Sequence, residues 1–501
     1  MKRVGRQLPW ILFALVIVMI AATATARPGG GESYSGGTDS SGGGGGGGGG
    51  GDSAGLIINL IILCFEYPYI GIPLLLIVGG FIVFRAIARS KSNSWSTNNA
   101  SNYAFRPQYR PPPPRRVAVT RAQIDGLRSQ DPEFSVVLFE DFVYTLYTEL
   151  HRYRARGNIG SLAAYVQPAA AQAFNDSSLE EVRGVVVGAM RYVSLGRADY
   201  NTLEIEFEAN YSEIRGGREQ RLYVVERLTL ARAATAKSRA PARSRTLDCP
   251  NCGAPLQNVR GDQCSFCKQA VGGGRFDWAV TAMGRIKTEQ RGPALTSSVD
   301  EVGNDMPTII DPGAQDNANA IRGKDPTFDW NQFQLRVGLV FAQLQVAWSS
   351  REWLRARPFV SDNLFQSQMY WIDMYIQQRV RNMTENARIL RIDLASVISD
   401  KHYDAITVRV WATGLDYTMS EDGKLLSGSR SKERAYSEYW TLIRGAQPSG
   451  RPTKTTPECP SCGAPLKIAM TGNCEYCKVK VTTGEFDWVL SRIEQDESYG
   501  G

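Results

Sequence analysis

Histidine is almost missing: the 501-residue chain holds only His151 and His402. That scarcity excludes triads built on histidine and metal sites with several imidazoles. Cysteine is scarce outside two clusters. Of nine cysteines, eight fall into two identical patterns, and Cys64 sits alone in an apolar stretch. Acidic residues are missing from Tyr67 to Ile124. A basic excess is missing from everything after that. The net charge is +7, yet residues 1–124 hold twelve Lys and Arg against four Asp and Glu, which leaves 45 against 46 for the remainder. A nucleic-acid-binding domain carries its own positive field, so no nucleic-acid partner is expected.

The N-terminal quarter reads as a membrane region. Lys2, Arg3 and Arg6 precede an apolar run from Leu8 to Ala22, and Ala24-Thr25-Ala26 supplies small residues for cleavage. That order predicts a signal peptide over 1–26. Residues 27–55 form a Gly-rich segment with ten consecutive glycines from Gly42 to Gly51, which cannot bury apolar surface. Leu56 to Phe84 is apolar over 29 residues, broken by Glu66, Pro68 and Pro73. A span needs about 20 residues, so 56–84 is the expected transmembrane segment. Glu66 reads as an interfacial acid beside Tyr67 and Tyr69.

Residues 85–124 form a basic, Pro-rich linker. Basic residues beside a span stay on the cytoplasmic side. A cleaved signal with one span, or an uncleaved anchor with two, puts the C-terminal part in the cytosol either way. The expected location is therefore a membrane, with the C-terminal domains cytosolic. Arg85, Arg89, Lys91, Arg106, Arg110, Arg115 and Arg116, with Trp95, Tyr103, Phe105 and Tyr109 among them, are candidates for contact with anionic lipid. The alternative is a solvated linker stiffened by Pro111–Pro114.

The remainder contains an internal repeat. Asp131-Pro132-Glu133-Phe134 recurs 194 residues later as Asp325-Pro326-Thr327-Phe328. Phe276-Asp277-Trp278 recurs 210 residues later as Phe486-Asp487-Trp488. After each Asp-Pro, which reads as a helix start, comes helical spacing: Phe134, Val137, Leu138, Phe142, Leu146 and Leu150, then Phe333, Val337, Val340, Phe341 and Leu344. Strand alternation follows. Leu203, Ile205, Phe207, Ala209 and Tyr211 alternate with polar residues, as do Ile406, Val408, Val410 and Ala412. Gly216-Gly217 and Asp422-Gly423 mark hairpin turns. The expected fold class is α+β, with helices on one face of an antiparallel sheet. The domains run over 125–290 and 325–496, joined by a linker over 291–324.

Cys249, Cys252, Cys264 and Cys267 recur as Cys459, Cys462, Cys474 and Cys477, again offset by 210. Two C-x2-C knuckles can place four thiolates tetrahedrally around zinc. Each ribbon, 247–270 and 457–480, is expected to hold one structural zinc, with iron as the alternative metal. Disulfides fit poorly in a reducing compartment. Strand candidates at Leu222–Leu230 and Phe276–Met283, and at Tyr439–Ile443 and Phe486–Ile493, place each ribbon inside a strand–strand connection.

The Asp-Pro-x-Phe start, the Phe- and Leu-rich helix and the Phe-Asp-Trp strand together resemble the Tim44-like domain, over roughly 125–290 and 320–495. That resemblance implies a fold similar to nuclear transport factor two, with a curved sheet wrapped around helices and an apolar cavity. It also implies membrane-side scaffolding and, because a signal peptide, a Gly-rich stretch and one span before the domain resemble the bacterial members, a bacterial inner membrane as the location. The chain departs from the mitochondrial members in having its own span, two copies and two ribbons, so protein import is not carried over. The expected function is a non-catalytic scaffold binding protein partners, or an apolar ligand, at the membrane. The aromatics Trp330, Trp348, Trp353, Tyr370, Trp371 and Tyr375 are candidates for a groove or for ordinary core. An enzyme of isomerase or dehydratase type is the alternative, with Asp141 or Asp373 as its carboxylate. Nucleic-acid binding through the ribbons and the basic run Arg232–Arg245 is the weaker one.

Overall fold

A computed structural model describes residues 119–501 apart from 156, 245, 291–302, 448–452 and 497. The expected signal peptide, Gly-rich segment, span and lipid-facing arginines lie outside the described residues. Among the described residues no helix is long and apolar enough to cross a membrane.

The first half opens with α1 (Arg121–Asp125), closed by a capping box in which Thr120 and Gln123 bond each other's backbone N–H. Helix α2 spans Val136–Arg154, and α3 spans Pro168–Phe174. Four long antiparallel elements follow: β1 (Glu181–Arg197), β2 (Tyr200–Arg215), β3 (Arg218–Ala233) and, after the first cysteine cluster, β6 (Ala279–Glu289). Between β3 and β6 lie a short turn α4 (Pro241–Ser244) and a small hairpin, β4 (Val259–Arg260) with β5 (Gln263–Cys264). The sheet order is β1-β2-β3-β6. Gly216 and Gly217 both take positive φ in the β2–β3 turn, as the sequence predicts.

The second half repeats this plan. It has α5 (Ala314–Lys324), α6 (Trp330–Ser350), a 3-10 turn at Trp353–Phe359 and α7 (Asp362–Gln377). Its strands are β7 (Val380–Ser399), β8 (Tyr403–Ser420), β9 (Leu425–Gly428), β10 (Arg434–Gly445) and β11 (Val489–Gln495). The order β11-β10-β8-β7, with β9 as a flap on β8, matches the first sheet. Helix α5 corrects the expected linker: Ala314, Ala318 and Ile321 are buried, so 314–324 belongs to the folded half.

The helical stripes pack where the periodicity puts them. In the first half Phe142, Leu146 and Leu150 join Leu203, Ile205 and Phe207 in one core. In the second, Phe333, Val337, Val340, Phe341 and Leu344 meet Ile406, Val408 and Val410. The inner face of each sheet is thus occupied by helix side chains.

The repeated motifs have a common cause, which is not helix capping. Ser135 and Asp329 cap α2 and α6, four residues after Asp131 and Asp325. The Asp carboxylates instead face buried arginines near the strand ends before the ribbons. Asp131 pairs with Arg232 at 3.0 Å, and Asp325 with Arg444 at 2.9 Å. Arg232 lies over the rings of Trp278 and Phe134, and Arg444 over Trp488 and Phe328. Asp-Pro-x-Phe and Phe-Asp-Trp are therefore two walls of one cation–π sandwich, built twice.

The halves pack against each other. Val137 and Leu138 of α2 cluster with Ile398, Tyr403, Ala405 and Ile443 on the outer face of the second sheet. Beside them, Glu140 accepts from Arg121 at 2.8 and 2.9 Å and from Arg492 at 2.7 Å, and Arg121 also donates to Thr441. This contact covers the outer face of β8 at Tyr403 and Ala405, and the segment at Gly303 and Met306 covers it at Arg409, where alternation alone suggests a wet side.

Candidate metal centres

Each cysteine cluster sits in the connection between the third and fourth long strands of its half. The chain returns to the sheet through a glycine at the same place in both copies. The carbonyl of Gly274 accepts from Ala233 N–H at 2.8 Å, and that of Gly484 accepts from Gly445 N–H at 2.8 Å. Their φ values are +76° and +81°. A Cβ on Gly274 would lie 2.4 Å from the Ala231 carbonyl oxygen. Gly274→Ala should therefore destabilise the chain by more than the roughly 1–2 kcal/mol of left-handed backbone alone. Thermal unfolding of the variant measures it, and an unchanged melting point would contradict this account of the ribbon's exit.

The knuckles are built alike. Gly253 N–H donates to the Cys249 carbonyl and Lys268 N–H to the Cys264 carbonyl, each at 2.9 Å. Gly463 with Cys459 and Lys478 with Cys474 repeat both bonds at 2.9 Å. Positive φ at Gly253, Lys268, Gly463 and Lys478 turns each loop so that its sulfurs converge. All four sulfurs of each cluster lie within 4.8 Å of one another. The Cys249–Cys267, Cys252–Cys264 and Cys459–Cys477 sulfur pairs are each 3.9 Å apart. A tetrahedron with about 2.3 Å zinc–sulfur bonds has edges near 3.8 Å, whereas a disulfide is about 2.0 Å. All eight are free thiols in the structure. The donor set fits a thiophilic metal in a closed four-sulfur site.

Electrostatics point the same way. Burial pushes the thiols of Cys249 and Cys459 up to about 12. Hydrogen bonds from the Asn251 side chain and the Gln269 backbone bring Cys267 down to about 6, and one from the Val479 backbone brings Cys477 to about 7. A divalent cation supplies the charge that lets the buried pair ionise as well.

The ribbons are fixed to the body. Tyr165 Oη donates to the Asp248 carbonyl at 2.6 Å, and Arg239 pairs with both Asp248 and Asp277. Arg357 Nε donates to the Met470 carbonyl at 2.9 Å, and Lys480 pairs with Asp362. The basic run before the first ribbon is largely consumed in this docking. Arg232 and Arg239 are ion-paired, Lys237 donates to the Gln130 carbonyl, and Arg243 donates to the Cys249 carbonyl.

The other sequence candidates are scattered. Asp141 accepts from Asn363 across the contact between halves, and Asp373 lies on the exposed side of α7, so neither sits in a cavity. Trp348, Trp353, Trp371 and Tyr375 are core. Tyr370 lies against β1 at Gly184. Trp330 lines a cleft of about 750 Å³ beside α5 and the β7 edge, with Phe328, Ile392 and Leu394.

One cluster escaped the sequence reading. Glu226 is fully buried, accepting from Tyr147 Oη at 2.6 Å, Tyr211 Oη at 3.1 Å and Arg285 Nε at 3.0 Å. His151 Nε2 lies 2.8 Å from it, while Arg154 donates to His151 Nδ1 at 3.1 Å. That bond leaves the proton of a neutral ring on Nε2, facing Glu226. Burial holds His151 below its usual range. Against the penalty of burial, the bond from His151, the Tyr147 hydroxyl and the Arg285 charge hold the Glu226 carboxyl well below the usual carboxylate range. A signal was present: Glu226 stands in the inward register Leu222, Val224, Leu228, Leu230, where period two calls for an apolar residue.

Comparison with known proteins adds one family. The model of the Tim44-like domain matches residues 314–454, from α5 to the loop after β10 and short of the second cysteine cluster. No curated protein matches. Among solved structures, a chain described as "Ntf2 like protein involved in plasmid conjugation" aligns over 67% of this chain and 84% of its own, at 8% identity and a TM-score of 0.13.

Proposed function

We propose that the chain is a membrane-tethered, non-catalytic adaptor that holds protein partners at the cytoplasmic face of a bacterial membrane. One observation carries the reading. In both halves the inner sheet face is filled by helix side chains, and a four-cysteine loop is pinned at a strand connection. What each half offers is an outward surface of fixed shape. The Tim44-like match over 314–454 is consistent with such a role. The shared plan of helices and then a four-strand meander supports tandem copies of a domain similar to nuclear transport factor two. Two such surfaces on one tether engage two partners, or one partner twice with raised effective concentration. In this reading each ribbon holds one structural zinc, residues 56–84 span the membrane, and the basic segment before Arg121 lies on anionic lipid.

Crosslinking of the full chain in native membranes, followed by mass spectrometry, tests the proposal. Reproducible protein partners are expected, and recovery of none above background contradicts it.

One observation favours an enzyme instead. A buried Glu226 beside His151 and Tyr147 is the kind of set that acid–base catalysts use. Its hydrogen bonds are satisfied within the set, which fits a structural network. Glu226→Gln separates the two: a structural network predicts a lower melting point, a catalytic one lost turnover at an unchanged melting point.

A further inference from the structure

The cleft beside α5 runs along an open strand edge. Both faces of β7 contribute to its lining: Arg391 and Asp393 from the outer face, Ile392 and Leu394 from the inner one. Side chains of opposite parity meet in one cleft where that cleft follows the edge of the strand. β7 ends the sheet order β11-β10-β8-β7, and among the described residues no strand pairs with its other side. Further along, that edge is covered. The carbonyl of Ala395 accepts from Asp311 N–H at 2.7 Å, and that of Val397 from the Asn317 side chain at 2.8 Å. Among the described residues, no hydrogen bond from outside the sheet reaches the backbone of 391–394. This stretch keeps unbroken register with 408–411 of β8, between register shifts at Ile389/Arg391 and Leu394/Ser396. The shifts limit the length of any added strand, which guards the edge against pairing with a whole sheet.

The cleft also sorts chemistry by side. On the inner side Phe328 and Trp330 stand with Ile392 and Leu394 as an apolar strip. On the outer side the Asp393 carboxylate is already spent. It accepts from Thr308 Oγ1 at 2.8 Å and from Trp411 Nε1 at 3.0 Å, and Arg391 Nε pairs with it at 3.0 Å. Arg391 itself stays exposed, lying over the Trp411 ring. Across the cleft, Gln315, Asn319 and Arg322 form one line along α5. Among the described residues Arg322 is exposed and has no ion-pair partner. Two arginines against one spent carboxylate give the cleft a positive rim above an apolar floor.

We propose that this cleft takes an extended peptide of a partner protein, with alternating apolar and acidic residues, added to β7 as a further strand at 391–394. The open edge supplies the main-chain hydrogen bonds. The period of two supplies the selection. Side chains on one side of the peptide rest on Phe328, Trp330 and Ile392, and those on the other reach the guanidiniums of Arg391 and Arg322, which favour carboxylates. Gln315 and Asn319 offer amides to the peptide's far edge. So short a pairing makes a small interface, and the complex is weak and reversible. The inference rests on the adaptor reading and names the chemistry of one of its partners.

Fluorescence anisotropy with the full-length chain in phosphatidylcholine nanodiscs tests it. The probe is a labelled peptide of about eight residues alternating valine and aspartate, long enough for one strand. Saturable binding is expected, and a valine–lysine peptide should bind at least about tenfold more weakly. Alternate N–H groups of a strand point to opposite edges. Methylating the valine nitrogens and methylating the aspartate nitrogens should therefore differ: one set weakens binding at least about tenfold and the other leaves it unchanged. Arg322→Glu, and separately Ile310→Glu at the cleft's mouth, where Ile310 is 59% exposed, should each weaken binding by at least about tenfold with unchanged melting curves. No saturable binding, binding indifferent to Arg322→Glu, or both methylated peptides binding like the parent would overturn the proposal. In the last case, displacement by decanoate would assign the cleft to a small amphiphile. Protein partners crosslinked in membranes, with no peptide bound at this cleft, would refute this inference and leave the adaptor reading standing.

Discussion

Taking the metal away from the first four-cysteine cluster should cost far more stability than taking it from the second. Cys249 and Cys264 are embedded in the main core of their half, in one cluster with Phe142, Leu162, Tyr165 and Val271. Cys459 and Cys474 form a separate small cluster with Ile468 and Val481, joined to the main core of the second half through the half-buried Leu466. The four-sulfur sites are built alike in both, but what they anchor differs. Structural zinc contributes about 10–16 kcal/mol in isolated zinc peptides. A domain's whole stability is about 5–15 kcal/mol. Cys249→Ser should therefore unfold the first half, seen as loss of the cooperative thermal transition. Cys459→Ser should loosen its ribbon and lower the melting point only modestly. Equal shifts in the two variants would contradict the distinction.

Glu140→Ala should be the most damaging single change at the contact between halves. The carboxylate is buried between Arg121 and Arg492, with Tyr192 Oη donating to it at 3.1 Å. Its deletion leaves the buried Arg121 guanidinium without its carboxylate and Arg492 with Glu494 alone, a loss of about 3–5 kcal/mol. Replacing the carboxylate together with both arginines by apolar residues should be much milder. The same triad predicts a pH dependence. Burial raises the Glu140 carboxyl, but the two arginines outweigh it and hold it below the usual range. A depressed folded-state value stabilises above the unfolded value, about 4.3, and that contribution is lost as pH falls through the folded one. Wild-type stability should fall below about pH 4.3, and Glu140→Ala should show a shallower fall there. Urea unfolding at neutral and acid pH measures both.

Much of this was legible because it repeats. Helical spacing in α2 and α6, the alternation in β2 and β8, the turn at Gly216-Gly217 and the convergence of the cysteines all depend on local geometry. So does the ribbon's place, since strands flank it on both sides. The parts that were not legible depend on pairs distant in sequence. Asp131 reads as a helix start until Arg232, a hundred residues away, is seen to claim it. Arg232 and Arg444 carry no local signature at all. The linker reading of 314–324 failed because α5 is short of apolar residues and is held by three buried ones. The second sheet's outer face reads as wet because nothing local to β8 announces that the first half covers Tyr403 and Ala405 or that the 303–306 segment covers Arg409. Glu226 and His151 were visible only as a charged residue in an apolar register and a rare histidine on an apolar helix face.

The account rests on each half being closed by its own metal-bound loop. Metal analysis of the full-length chain, purified under reducing conditions, tests that most directly. It should give about two zinc per chain, falling to about one in either Cys249→Ser or Cys459→Ser. Iron in place of zinc, or a metal-free chain with an undiminished melting point, would contradict it.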